Sequence, residues 1–331
     1  MKILSIDGGG IRGIIPAIIL AEIENRLGKP IAELFDLIAG TSTGGILALG
    51  LTKPYPLNPA QPQYHAEDLI KMYRQKGERI FCEPLHEKFT KVDDLMKPKY
   101  SSQGRDEVLE QYLEDVKLEK CLKPVFLTSY DIELRMPVFF VSDRASEMIS
   151  DNFRKIGTGF TMKHAAMATS AAPTFFEPYH FSTNQTKTGF YTLVDGGVFA
   201  NNPTALAIMQ SVVKSKKIGN KLDTDEILVL SLGTGSLCHR YPYEEAKNWG
   251  LLSWAEPIVS ILMDANSESV DSQLQQLLNA QKYFRFQVSL NNANDDMDDA
   301  SPQNITNLEK LAHQLIAEKH YEIDRLCELL K

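Results

Sequence analysis

The chain is poor in cysteine, with four residues (Cys82, Cys121, Cys238 and Cys327) among 331. They are scattered and form no CxxC or Cys/His ligand spacing. That argues against a zinc site and favours reduced, buried thiols over a disulfide framework. No run of about 18 apolar residues occurs, so no segment is expected to span a membrane. The first residues lack a basic stretch, a long apolar stretch and a small-residue cleavage site, so no Sec-type signal is expected. The expected location is cytoplasmic with peripheral membrane association, and export by a non-Sec route is left open. Positive charge is also in short supply. The 35 Lys and Arg face 43 Asp and Glu, for a formal charge of −8, which speaks against a nucleic-acid polymer as main partner. Repeats, low-complexity tracts and a convincing linker are absent, so one domain spanning residues 1–331 is expected.

The chain does hold enough apolar residues, 43%, to bury a large core. Lys2–Ile6 reads as a buried strand broken by Asp7–Gly13, and Ile14–Leu27 as a helix ended by Gly28 and Pro30. Leu34–Ala39 reads as a second strand and Ile46–Leu51 as a buried helix. The segment from 53 to 63 is polar and proline-rich and reads as a loop. Further helices are expected over Ala66–Gly77, Arg105–Val116, Thr161–Ala172 and Asn201–Val213. Further strands are expected over Pro124–Tyr130, Pro137–Val141, Thr192–Val194 and Ile227–Leu232. The alternation implies an α/β fold, a mixed or parallel sheet with helices on both faces. Beyond Asn291–Ala300, an acidic loop, Leu308, Leu311, Leu315, Ile323, Leu326 and Leu330 recur at helical spacing, predicting one C-terminal amphipathic helix.

Three motifs carry chemistry. Gly40-Thr41-Ser42-Thr43-Gly44 follows a strand and opens a helix, the setting of a nucleophile elbow. Gly40 and Gly44 make room around a strained serine, and the helix start favours developing negative charge. Asp7-Gly8-Gly9-Gly10-Ile11-Arg12-Gly13 satisfies GxGxxG, but the acidic residue that a dinucleotide site needs at the end of the second strand is missing. An anion-binding loop fits better, because consecutive glycine N–H groups at a helix start can hold an oxyanion. Arg12 either steadies that loop or meets a phosphate. Asp195-Gly196-Gly197 offers a carboxylate beside small residues. An acylating serine needs a base, and composition and spacing do not choose between Asp195 and a histidine. His164, His180 and His239 are the histidines to weigh, and His65, His86, His313 and His320 lie in polar stretches.

In this order the three motifs resemble those of the patatin-like phospholipases, in a bacterial-type form with a single patatin domain. Met167-Ala168-Thr169-Ser170-Ala171-Ala172-Pro173-Thr174-Phe175-Phe176 is similar to that family's stretch upstream of its aspartate. The motif-bearing core runs from about 3 to 207, and residues 245–331 form a C-terminal extension. Asp195-Gly196-Gly197 departs mildly from the Asp-Gly-Ala also common there. The resemblance implies a three-layer α/β/α sandwich with a central mixed, mostly parallel sheet. It implies a Ser-Asp dyad with Ser42 as nucleophile and Asp195 as proton acceptor. It implies an oxyanion hole from Gly8, Gly9 and Gly10 with Thr43, supported by Arg12, Gly40, Gly44 and Gly196. Its substrates are acyl esters of phospholipids and related lipids, and neither a metal nor another cofactor is required. A carboxylate near pKa 4 is a poor base, so burial among Tyr191, Leu193 and Val194 is expected to raise it.

Acyl transfer, a non-catalytic lipid-binding role, a nucleotide-dependent enzyme and a ligand-activated membrane-degrading effector are the rival readings. Trp249–Met263 is rich in aromatic and apolar residues. Trp249 and Trp254 are candidates for acyl-chain or membrane contact, the alternative being a core helix. The substrate headgroup, the acyl position and any protein partner are not legible.

Overall fold

The strand Lys2–Ile6 (β1) buries both faces, and alternate residues serve different layers. Leu4 and Ile6 join one apolar cluster while Ile3 joins another on the opposite side. That double burial is what a central parallel strand requires. The computed structural model describes residues 1–81, 98–236, 240–291 and 293–331. Cys82, His86, Cys238 and His239 lie outside them. Cys121 is partly buried and Cys327 buried, and both are free thiols.

Ten strands form one mixed sheet. After β1 come Leu37–Gly40 (β2), Val125–Asp131 (β3), Met136–Val141 (β4), Met148–Ile149 (β5), Arg154–Ile156 (β6), Tyr179–Ser182 (β7), Phe190–Asp195 (β8), Leu228–Leu232 (β9) and Tyr283–Phe286 (β10). The order β10-β9-β1-β2-β3 is parallel throughout. β4 then pairs antiparallel with β3, and β6 and β5 follow. β8 also pairs antiparallel with β3, beyond the end of β2, and carries β7 at its outer edge.

Helices cover both faces. Ile14–Leu27 (α1), Thr43–Thr52 (α2), Ala66–Ile80 (α3), Ser102–Leu113 (α4) and Met162–Thr169 (α5) contribute to the larger apolar cluster. Thr204–Lys217 (α6) and Leu251–Leu277 (α7) pack on the other side, through Ala207, Ile208, Leu274 and Leu278. Pro302–Glu318 (α8) and His320–Leu330 (α9) return to the first side. The molecule is therefore a three-layer α/β/α sandwich around a mixed, mostly parallel sheet.

Several boundaries differ from those read in the sequence. Pro30 and Ile31 open a helical turn over Ile31–Leu34, whose first N–H is taken by the Glu24 carboxylate at 2.9 Å. β2 therefore begins at Leu37. The expected loop at 53–63 holds a short hairpin, Pro54–Tyr55 against Asn58–Pro62. The single C-terminal helix is two, separated at Lys319. The Trp-rich segment opens a helix that runs on to Leu277, well past Met263.

Candidate active site

The parallel β2 and the antiparallel β8 approach each other head-on along the same edge of β3. Gly40 pairs with Leu127 and Asp195 with Ser129, so the two C-terminal strand ends face one another across Thr128. Ser42 and Asp195 follow from that meeting. The Thr41 hydroxyl shares a 2.6 Å hydrogen bond with that of Thr128 and donates to the Ala200 carbonyl at 2.7 Å. These contacts fix the end of β2 just before the serine.

Ser42 stands at φ 54°, ψ −122°, a conformation that non-glycine residues rarely adopt. Its backbone N–H donates to the Thr169 hydroxyl at 3.0 Å, and that hydroxyl donates to the Thr128 carbonyl at 2.6 Å. The turn is too tight for side chains at its flanks. A Cβ on Gly40 would stand 2.3 Å from the Gly44 carbonyl oxygen, one on Gly44 2.2 Å from that of Ile6, and one on Gly196 2.0 Å from Thr128 Oγ1. α2 begins at Thr43, whose hydroxyl hydrogen-bonds the buried Tyr73 hydroxyl. As the first residue of the helix, Thr43 has a backbone N–H with no partner inside it.

β1 delivers the glycine loop beside this elbow. Asp7 is buried and its carboxylate is held bidentate by Arg285 of β10, at 3.0 and 2.6 Å. Burial raises the Asp7 pKa, and Arg285 opposes that rise. The Gly8 N–H donates to the Asn201 carbonyl at 3.2 Å, and the Gly8 carbonyl accepts from Thr234 Oγ1 at 2.7 Å. The Gly8 N–H is thus engaged with a protein acceptor. The N–H groups of Gly9, Gly10 and Thr43 have no acceptor among the described residues. Arg12 is buried, and its Nε donates to the Gly9 carbonyl at 3.1 Å. It braces the loop from behind. Burial pulls its pKa down to about 10.

Asp195 is 1% exposed. Its N–H donates to the Ala171 carbonyl at 2.9 Å, and its Oδ1 accepts the Gly197 N–H at 2.7 Å. Oδ2 is buried and lacks a hydrogen bond of ordinary geometry. Burial pushes the carboxyl up to about 6. The Ser42 hydroxyl, the Gly197 N–H and the charge of Arg105 hold it from rising further.

Ser42, Thr43, Gly10 and Asp195 line one cavity. Its walls are apolar, with Ile11, Ile46, Met72, Phe81, Leu109 and Phe176 among them. None of the described histidines lines it. His164 stacks on Phe181 and its Nδ1 accepts the Thr161 N–H at 3.3 Å. His180 is exposed on β7 against Thr192, 3.0 Å away. Trp249 and Trp254 do not line it either. They pack edge-to-face at 4.9 Å beside the start of α7, and Met263 of the same helix does reach the cavity. No cluster of His, Cys, Asp or Glu among the described residues is arranged to hold a metal ion.

Sequence reasoning missed Arg105, which lines the cavity while 1% exposed. It sits on the buried stripe of α4 with Val108 and Leu109. A charged residue at an apolar-stripe position was the available signal. Arg285 and Asn201 were missed as well, because their partners Asp7 and Gly8 lie 278 and 193 residues away.

A family model described as Patatin-like phospholipase matches residues 4–208. "Patatin-like protein 2" of Oryza sativa subsp. indica is 33% identical over 357 residues, spanning 98% of this chain and 85% of its own. "Probable inactive patatin-3-Kuras 1" of Solanum tuberosum is also 33% identical, over 96% of this chain and 86% of its own. Among solved structures, the crystal structure of VipD from Legionella pneumophila covers 96% of this chain and 66% of that one. Its TM-score is 0.39 at 13% identity.

Proposed function

The chain belongs to the patatin-like phospholipase family, and from that membership we propose that it hydrolyses fatty-acyl esters of phospholipids or lysophospholipids through Ser42 and Asp195. Membership by itself does not decide activity, since one relative carries the name of an inactive protein. The observation that supports an active enzyme is the buried Asp195 carboxyl, raised to about 6 beside a strained Ser42 in an apolar cavity. A base raised toward neutral pH is a better match for a serine hydroxyl than a free carboxylate.

Asp195 takes the Ser42 Oγ proton as Oγ bonds to the ester carbonyl carbon. The carbonyl oxygen becomes an oxyanion facing the N–H groups of Gly9, Gly10 and Thr43, which need no reorganisation to receive it. The tetrahedral species collapses, the alcohol leaves with the proton from Asp195, and acyl-Ser42 remains. Water then repeats the sequence, giving its proton to Asp195 and releasing the fatty acid. The apolar walls suit an acyl chain. The exposed residues Leu251, Trp254, Ile258 and Leu262 support contact with a lipid surface beside the cavity. None of the helices, among the described residues, is long and apolar enough to cross a membrane.

The test is fatty-acid release from mixed phospholipid vesicles in EDTA, followed by mass spectrometry for wild type, Ser42→Ala and Asp195→Asn. Release by wild type and its loss in both variants is expected. Release that survives Asp195→Asn would overturn the dyad, and release that stops in EDTA would overturn the metal-free reading.

A further inference from the structure

Arg105 is a buried cation without a contact ion pair among the described residues. Its Nη1 donates to the Ser170 carbonyl and lies 3.4 Å from the Ser170 hydroxyl. Its Nη2 lies 3.4 Å from the Ser102 hydroxyl, and its guanidinium sits 4.2 Å from the centre of the Phe176 ring. Its Nε is buried with no partner. Burying a charge in this way is costly unless another charge answers it. The acidic group that weighs most on Arg105 is Asp195, ahead of Glu177, Asp106 and Tyr179. Asp195 is likewise buried, makes no ion pair, and lines the same apolar cavity. The two opposite charges therefore answer each other across a low-dielectric space, where Coulomb attraction reaches further than in water. A backbone link joins them as well. Arg105 holds the carbonyl of Ser170, and the carbonyl of the next residue, Ala171, accepts the Asp195 N–H at 2.9 Å.

We propose that Arg105 is a positioning residue for ester hydrolysis, whose fixed charge keeps Asp195 ionised and able to accept the Ser42 proton. This rests on the Ser42–Asp195 reading above. The Ser42 hydroxyl, the Gly197 N–H and Arg105 oppose the effect of burial on Asp195, and Arg105 is the one full charge among them. With Arg105 neutralised, burial acts on Asp195 with less opposition. The base is then protonated, and idle, over a wider acid range.

The experiment is the pH profile of kcat/KM on p-nitrophenyl butyrate for wild type, Arg105→Gln and Arg105→Lys, with folding followed by thermal midpoint. Glutamine retains a donor for the Ser170 carbonyl and loses the charge, whereas lysine retains the charge. For Arg105→Gln the acid limb is expected to rise by about one pH unit. Activity then falls about tenfold at pH 5 and not at all at pH 9. Arg105→Lys is expected to leave the limb in place. A limb unmoved in Arg105→Gln, a loss equal at every pH, or a limb raised equally in both variants would overturn the proposal. If Arg105→Gln does not fold, Arg105→Met takes its place, since a raised limb supports the charge role and an unmoved one overturns it. Ser42→Ala and Asp195→Asn run alongside. Activity surviving Asp195→Asn would sink the dyad itself, whereas a dyad intact with an unmoved Arg105→Gln profile would sink only the role of Arg105.

Discussion

The backbone N–H of Ser42 is held by the hydroxyl of Thr169, 3.0 Å away at the end of α5. The same hydroxyl spends its own proton on the Thr128 carbonyl of β3. One threonine thus ties the strained elbow to both a helix and the central sheet. Thr169→Val keeps the shape and removes both bonds, leaving a buried donor and a buried acceptor unpaired. Each such group costs about 1–3 kcal/mol. A lower thermal midpoint and a kcat reduced about tenfold or more are expected, read by calorimetry and ester hydrolysis. A variant with wild-type kcat would show that the elbow geometry does not depend on this tie.

Asp195 makes the folded protein less stable as it ionises. Its pKa is 3.8 in an ordinary setting and about 6 in the fold, so between those values the folded state binds more protons than the unfolded one. Stability from this group is complete below pH 3.8 and is lost as the pH rises through about 6, a loss of about 3 kcal/mol. Asp195→Asn carries no charge at any pH. The variant is therefore expected to unfold at a higher temperature than wild type at pH 8, with the difference closing near pH 4. Equal midpoints at pH 8 would mean that Asp195 is better solvated than its burial indicates.

The Asp7–Arg285 pair holds the first residue of the glycine loop from a strand 278 residues away in sequence. Removing one partner of a buried pair leaves an uncompensated charge and costs about 3–5 kcal/mol. Arg285→Met is expected to lose that amount in urea unfolding. Adding Asp7→Asn to Arg285→Met is expected to restore part of the loss, because no lone charge then remains buried. Additive losses in the double variant would show that the two residues act independently.

Such long-range ties explain what the sequence did and did not reveal. β1 and α1 were legible because an apolar run stops at three glycines and the helix ends on Gly28 at φ 64°. Ser42 was legible from its local turn. The later start of β2 was not, since it depends on the Glu24 side chain capping Ile31. Nor was the meeting of Ser42 with Asp195, which requires β8 to run antiparallel to β3 beyond the end of β2. Arg105 stands out locally only as a charge on the apolar stripe of its helix, and only the fold puts it on the cavity that Asp195 lines.

Leu251, Trp254, Ile258 and Leu262 recur at spacings of three and four, which places them on one face of α7. They are 92%, 39%, 39% and 51% exposed, so the fold leaves this stripe uncovered. Met263, next along the same helix, turns inward to the cavity of Ser42. A bilayer meeting the stripe would lie close to that cavity. Attraction to anionic headgroups is not the expected driving force for a chain of formal charge −8; burial of apolar area is, at about 1.5–3 kcal/mol for each large side chain fully covered. Leu251→Asp with Leu262→Asp is therefore expected to weaken sedimentation with phosphatidylcholine vesicles at least tenfold. Wild-type binding is expected to persist in 0.5 M salt, because the apolar contribution is not screened as surface charges are. Binding that is lost in salt but kept in the double variant would move the membrane contact away from α7 to a charged surface elsewhere on the molecule.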